Sequence, residues 1–272
     1  MKKTILTLAL TLAGMIGAQA QSKKLVLDDT QDLVSVINAA AEEGGTYDVT
    51  FTDRPINLDN WNVWCLPFDV RVASGFRTPL KETSYIIDLL IRNNSDGNIH
   101  FEQAVGGTIK AGTPFIIKVG KMKRTPTNFK RVTFTNVTLE KIEAQHVETD
   151  ACNNRFIGTF TPVELYGRHI WYMSKGAWYD ARNFSEENPA HLKSLRAYID
   201  FSQNTVSEAP MIIIDEPDGT TTVIDAATFN KGEFKSNGTQ DDGWYSVTGM
   251  RLTQEPTAKG VYIHNARKVV IK

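Results

Sequence analysis

Asp180, Glu186, Glu187 and Glu164 place carboxylates near Trp171, Trp178 and Tyr179, a mixture of acids and flat aromatic surface suited to work on sugars. Glycoside hydrolysis needs two carboxyl groups facing one cleft at a fixed separation. Ordinary acidic content accounts for each of these four, so the expectation is solvated loop carboxylates beside packed aromatics. The histidines His100, His146, His169, His191 and His264 lie far apart and lack the paired helical or Cys-flanked spacing of a zinc site. No metal and no cofactor is therefore expected. Cys65 and His169 can be drawn as nucleophile and base, but Trp64-Cys65-Leu66-Pro67-Phe68 reads as a buried strand running into a turn, with nothing to activate the thiol. Gly44-Gly45 and Gly106-Gly107 are not followed by Lys-Ser or Lys-Thr and read as turns rather than phosphate cradles. No catalytic residue is assigned, and the chain reads as a binding protein rather than an enzyme. A secreted carbohydrate-active hydrolase and a purely structural envelope subunit are the rival classes.

Ile170 to Asp180 carries the strongest local signal. A three-residue loop, Ser174-Lys175-Gly176 with glycine in the left-handed position, would pair Tyr172 with Trp178 and Trp171 with Tyr179, one aromatic pair on each face of a hairpin. A core needs one face, which leaves the other as a platform for sugar rings. Trp171, Tyr172, Trp178 and Tyr179 are accordingly the candidate ligand-binding residues. The alternative is that neighbouring loops cover both pairs. Lys121-Met122-Lys123-Arg124 with Lys130-Arg131 reads as a charged loop and strand edge that discourages edge-to-edge association.

These residues sit on short alternating or β-branched runs separated by Gly, Asn, Asp and Pro, such as Tyr47 to Phe51 and Thr113 to Val119. Many short strands at regular spacing predict an all-β fold, an antiparallel β-sandwich over 46–215. Ahead of it, Asp32, Leu33, Val36, Ile37, Ala40 and Ala41 fall at helical spacing and stop at Gly44-Gly45, which predicts one short helix within a segment 21–45. A polar tract at 216–242 reads as a linker, and 243–272 as a small C-terminal β element too short to stand alone. Thirty basic and thirty-one acidic residues leave no electrostatic footprint for nucleic acid.

The ends concern export. Met1-Lys2-Lys3 precedes an apolar run closing on Ala18-Gln19-Ala20, which reads as a signal peptide over 1–20, with Gln21 starting the mature chain. No segment is long and apolar enough to span a bilayer. Export leads to the cell surface or medium, with the periplasm as the alternative. It also permits a bridge between Cys65 and Cys152 without requiring one.

Trp244-Tyr245-Ser246-Val247-Thr248-Gly249-Met250-Arg251-Leu252, then Lys259-Gly260-Val261-Tyr262-Ile263 and Lys268-Val269-Val270-Ile271-Lys272, resembles the Por (type IX) secretion C-terminal sorting domain of exported Bacteroidetes proteins. Gly249, Gly260 and Tyr262 carry that likeness. The Asn-Pro-bearing strand that usually opens such a domain is absent. A second likeness runs through Asn60 to Val70, Lys110 to Lys118, Phe156 to Pro162 and Leu195 to Tyr198, which is similar to a β-module of large adhesin-like surface proteins of the same bacteria. Together the resemblances imply a secreted or surface binding or structural module that meets the export machinery in transit, while the balanced charge points to a neutral glycan or a surface protein as partner.

Overall fold

The computed structural model describes residues 21–52, 54–81, 84–120, 131–174, 176–207, 210–215, 220–224, 244–246, 251–252, 256–257, 260–264 and 267–271. The expected signal peptide, the 121–124 cluster with Lys130, Lys175, Gly249 and most of the expected linker lie outside these residues. In chain order the elements are β1 (Lys23–Asp28), α1 (Val34–Glu43), β2 (Tyr47–Thr52), β3 (Trp61–Cys65), β4 (Val70–Arg71), β5 (Tyr85–Leu90), β6 (Ile99–Gln103), β7 (Thr108–Ile109) and β8 (Pro114–Val119). They continue with β9 (Arg131–Val137), β10 (Gln145–Thr149), β11 (Arg155–Thr159), β12 (Val163–Leu165), β13 (Ile170–Ser174), β14 (Ala177–Asp180) and a 3-10 turn at Ala181–Asn183. The remainder is β15 (Ala190–Leu192), β16 (Arg196–Asp200), β17 (Ile212–Asp215), β18 (Thr221–Ile224), β19 (Trp244–Ser246), β20 (Arg251–Leu252), β21 (Gly260–His264) and β22 (Arg267–Ile271).

The protein is all-β, with α1 its one α-helix among the described residues. A six-stranded sheet, ordered β18-β17-β6-β5-β8-β3, lies at the centre. Its strands β3 and β8 are buried along nearly their whole length because both faces are covered. One face, with Trp61, Val63, Ile99, Phe101 and Ile116, packs on Phe156, Trp171, Trp178 and Ile199 of the five-stranded sheet β10-β11-β16-β13-β14. The other face, with Trp64, Ile87, Phe115 and Ile117, packs on Val49, Phe51, Val132 and Phe134 of the three-stranded sheet β1-β2-β9 and on α1. The sandwich thus has an extra layer. Most pairings are antiparallel, whereas β1 with β2 and β17 with β6 are parallel.

Rings of Phe51, Trp64, Phe68, Phe76, Phe115 and Phe134 meet at centroid distances of 5.1 to 6.5 Å. Tilted and edge-on pairs of this kind add about 0.5–1.5 kcal/mol each beyond area burial. Arg54 is fully buried in this layer, its guanidinium carbon 4.5 Å from the Trp64 ring centroid and its Nη2 donating to the Val63 carbonyl at 3.1 Å. Burial, with the Arg196 charge nearby, pushes its pKa well below the ordinary value, and Asp29 opposes that shift.

Residues 21–45 belong to this core. Leu27, Leu33 and Ile37 are buried, Asn38 brackets the Ile142 backbone at 2.8 and 2.9 Å, and the carboxylate of buried Asp29 holds Lys193 at 3.0 Å and Arg196 at 3.2 Å. The helix ends where expected: Gly44, at φ +69°, donates its N–H to the Ala40 carbonyl at 3.1 Å, a backbone turn glycine adopts without a Cβ penalty. Thr221–Ile224, inside the stretch read as a linker, instead forms β18 and pairs with β17. The four-stranded sheet β20-β19-β21-β22 forms the C-terminal element, and β22 lies beside β18. In it Tyr262 folds back over Gly260, so that a Cβ at Gly260 would lie 3.2 Å from the tyrosine ring; the Gly-x-Tyr spacing is a same-face pair on one strand.

Candidate functional site

The aromatic hairpin forms in a different register from the expected one. Trp171 stands opposite Asp180, Tyr172 opposite Tyr179, Met173 opposite Trp178 and Ser174 opposite Ala177, so the connection has two residues rather than three. Two-residue connections match the twist of the flanking strands, and Gly176 takes the left-handed conformation at φ +79°. The one-residue shift changes the faces. Both indoles enter the core between the two large sheets, Trp171 fully buried and Trp178 at 2 % exposure.

The tyrosines take the outer face, with rings stacked at 5.6 Å and 24°. Val147, Ile157, Tyr198, Tyr172 and Tyr179 follow one another in register across all five strands, and β12, β15 and the 3-10 turn pack over this row. Tyr172 is 7 % exposed, and burial, then the neighbouring Tyr179, pushes its hydroxyl up to about 12. An open aromatic platform does not form here, because neighbouring segments cover the outer face and the opposite sheet covers the inner one.

The carboxylates are engaged separately. Asp180 is buried and clasped by Arg182, with contacts of 2.6 to 3.1 Å, while its Oδ1 accepts the Arg182 N–H that opens the 3-10 turn. Glu164 faces His191 across the β12–β15 pair at 3.7 Å. Glu186 and Glu187 are exposed in the turn that follows the 3-10 segment. Among the remaining histidines, His100 meets Asp96 at 2.9 Å, His146 meets Glu148 at 2.8 Å, and His169 packs against Trp171 and Phe201 at ring distances of 6.0 and 5.3 Å. Among the described residues, no group of three or more His, Cys, Asp or Glu is placed to hold a metal ion.

Cys65 and Cys152 are both buried and both free, so the bridge that export would permit is not formed. Cys65 donates to the Gly112 carbonyl at 3.0 Å, whereas Cys152 lies under the 94–98 turn and accepts the Gly97 N–H at 3.2 Å. They occupy separate hydrogen-bonded niches. His146 lies near Gly112, where an added Cβ would come 3.2 Å from its Nδ1. Burial pushes the Cys65 thiol far up, and Arg54 opposes this only in part, so the sulfur stays protonated and inert.

A cleft of about 440 Å³ among the described residues opens to solvent, lined by residues 72–73, 77, 84–87 and 103–105. β5 and β6 pair from Leu90–Phe101 back to Asp88–Gln103, and beyond that end β5 reaches back to Tyr85 while β6 stops, with the loop following β4 lining the same cleft. Three bonds fix its walls: the Tyr85 hydroxyl to the Val72 carbonyl at 2.8 Å, the Val72 N–H to the Gly107 carbonyl at 3.1 Å, and the Ala104 N–H to the Ile87 carbonyl at 2.8 Å. Tyr85 also packs on Phe76 at 5.5 Å, anchoring the loop to the aromatic core. Arg77, Gln103 and Ser84 are polar lining residues, and Ala73 and Val105 are apolar ones; Val105 is 92 % exposed. None of these residues was expected as a site. Three separate segments each contribute a few ordinary side chains, and only the tertiary fold brings them together.

In comparisons with protein-family models, curated proteins and solved structures, the chain matches none.

Proposed function

We propose that this protein is an exported, non-enzymatic binding module of the bacterial cell surface or its surroundings, and that its ligand is a glycan. The cleft between β5 and β6 carries this reading. Its size falls within the roughly 300–1,000 Å³ of small-molecule sites, and apolar rim residues alternate with hydrogen-bonding groups, as suits a sugar ring that is apolar on its faces and polar at its edge. Its concave, walled shape suits a saccharide better than a flat protein surface. A rigid sandwich with its site at strand ends and loops is a common scaffold for such binding. The Ala18-Gln19-Ala20 leader and the sorting-like Gly249, Gly260 and Tyr262 support export to the surface.

A glycan and host-matrix array probed with residues 21–272 tests the ligand class. Retention on one or more glycans is expected, and retention only on matrix proteins would replace the glycan assignment. Fractionating cells that carry the full chain or one ending at residue 242 tests the sorting role. The truncated form is expected to leave the surface fraction, and an unchanged location would remove the sorting role.

A further inference from the structure

We infer that the cleft selects a saccharide bearing a carboxylate, a uronic acid, through Arg77. This rests on the glycan-binding reading above and narrows its ligand. Arg77 is the charged side chain among the lining residues; it is exposed and forms no ion pair among the described residues. Its situation differs from that of Arg92, Arg155, Arg168, Arg182 and Arg196, each of which is committed to a carboxylate of this chain. A guanidinium presents parallel N–H groups that match the two oxygens of a carboxylate, so a free fork at a cleft mouth favours a planar anion over a neutral hydroxyl.

The other lining groups describe the rest of the ligand. Gln103 and Ser84 offer both donors and acceptors, which suits ring hydroxyls, and Ala73 and Val105 supply the apolar rim against which a ring face can lie. An extended peptide is disfavoured, because the Ile87 carbonyl is already taken by Ala104 and the Tyr85–Val72 and Val72–Gly107 bonds tie one wall in place. A ligand of one or two rings suits an open cleft of about 440 Å³.

The test titrates the mature chain, residues 21–272, with digalacturonic acid, with the neutral disaccharide of the same linkage, and with acetate as a bare carboxylate, by calorimetry. The acidic disaccharide is expected to bind about tenfold more tightly than the neutral one, the scale of one charge-assisted contact, with acetate far weaker than either. Arg77→Gln should abolish that preference with no change in melting temperature, and Arg77→Lys should retain part of it. Equal affinity for the two disaccharides, acetate binding as tightly as the acid, or a preference surviving in Arg77→Gln would overturn the carboxylate assignment while leaving the glycan reading in place. Failure of every charged and neutral glycan on the array would overturn both.

Discussion

At the scale of single residues, close approach explains positions that the sequence leaves unremarked. Gly158 on β11 lies against β3 so tightly that a Cβ there would sit 2.4 Å from Cys65 Sγ and 3.2 Å from the Gly112 carbonyl. Gly158→Ala is therefore expected to destabilise by about 1–3 kcal/mol, as overpacking does. Adding Cys65→Ala should recover part of the loss, a coupling that chemical denaturation of the single and double variants measures.

His169 is a second such residue. Burial, then the Arg182 charge, lowers its pKa below the ordinary 6.5, so the folded chain binds this proton less readily than the unfolded chain. Stability from this group is thus complete above about pH 6.5, and it declines as pH falls from there through the lower folded value. Denaturant midpoints measured from pH 7.5 to 5 should show a smaller decline in His169→Phe than in the parent, and identical profiles would assign the decline to other groups.

At the scale of elements, the hairpin shows how far a pattern can be read and where it stops. Alternation and turn residues correctly mark β13, a glycine turn and β14, but a loop of three residues and one of two fit the same string. The choice decides whether the indoles share a face. With both of them in the core, Trp171→Ala and Trp178→Ala should each lower stability by about 3–5 kcal/mol, read as a shift in denaturant midpoint. Loss of either indole without destabilisation would mean that it faces solvent.

The helix was legible down to its glycine stop, because Leu33, Ile37 and Ala40 mark one face and local backbone chemistry ends it. Strand β1 was not. Its Lys23-Lys24-Leu25-Val26-Leu27-Asp28 run has one fully buried side chain, Leu27, and it is a strand because of its parallel partner β2, which lies beyond the helix. The cysteines are similar: a spacing permits a bridge, and only the tertiary fold can separate the partners. The cleft was illegible for the same reason, since residues 72–105 become a site only where the fold brings three of its segments together.

At the scale of the whole molecule, three stacked sheets with the six-stranded one in the middle leave little apolar surface free, and the described exposed large hydrophobics are Val26, Val105, Val147 and Val206. Val105 is the one that borders a cleft. The binding proposed here belongs to that cleft, on a scaffold whose aromatic hairpin holds the core. The most direct measurement compares the glycan array profile of the mature protein with that of Ala73→Trp, which fills the cleft from an exposed position. The expected result is loss of the glycan signals with the melting temperature held within about 1 °C, as exposed substitutions usually change stability little. An unchanged array profile from a folded Ala73→Trp protein would contradict the account and place recognition elsewhere on the surface.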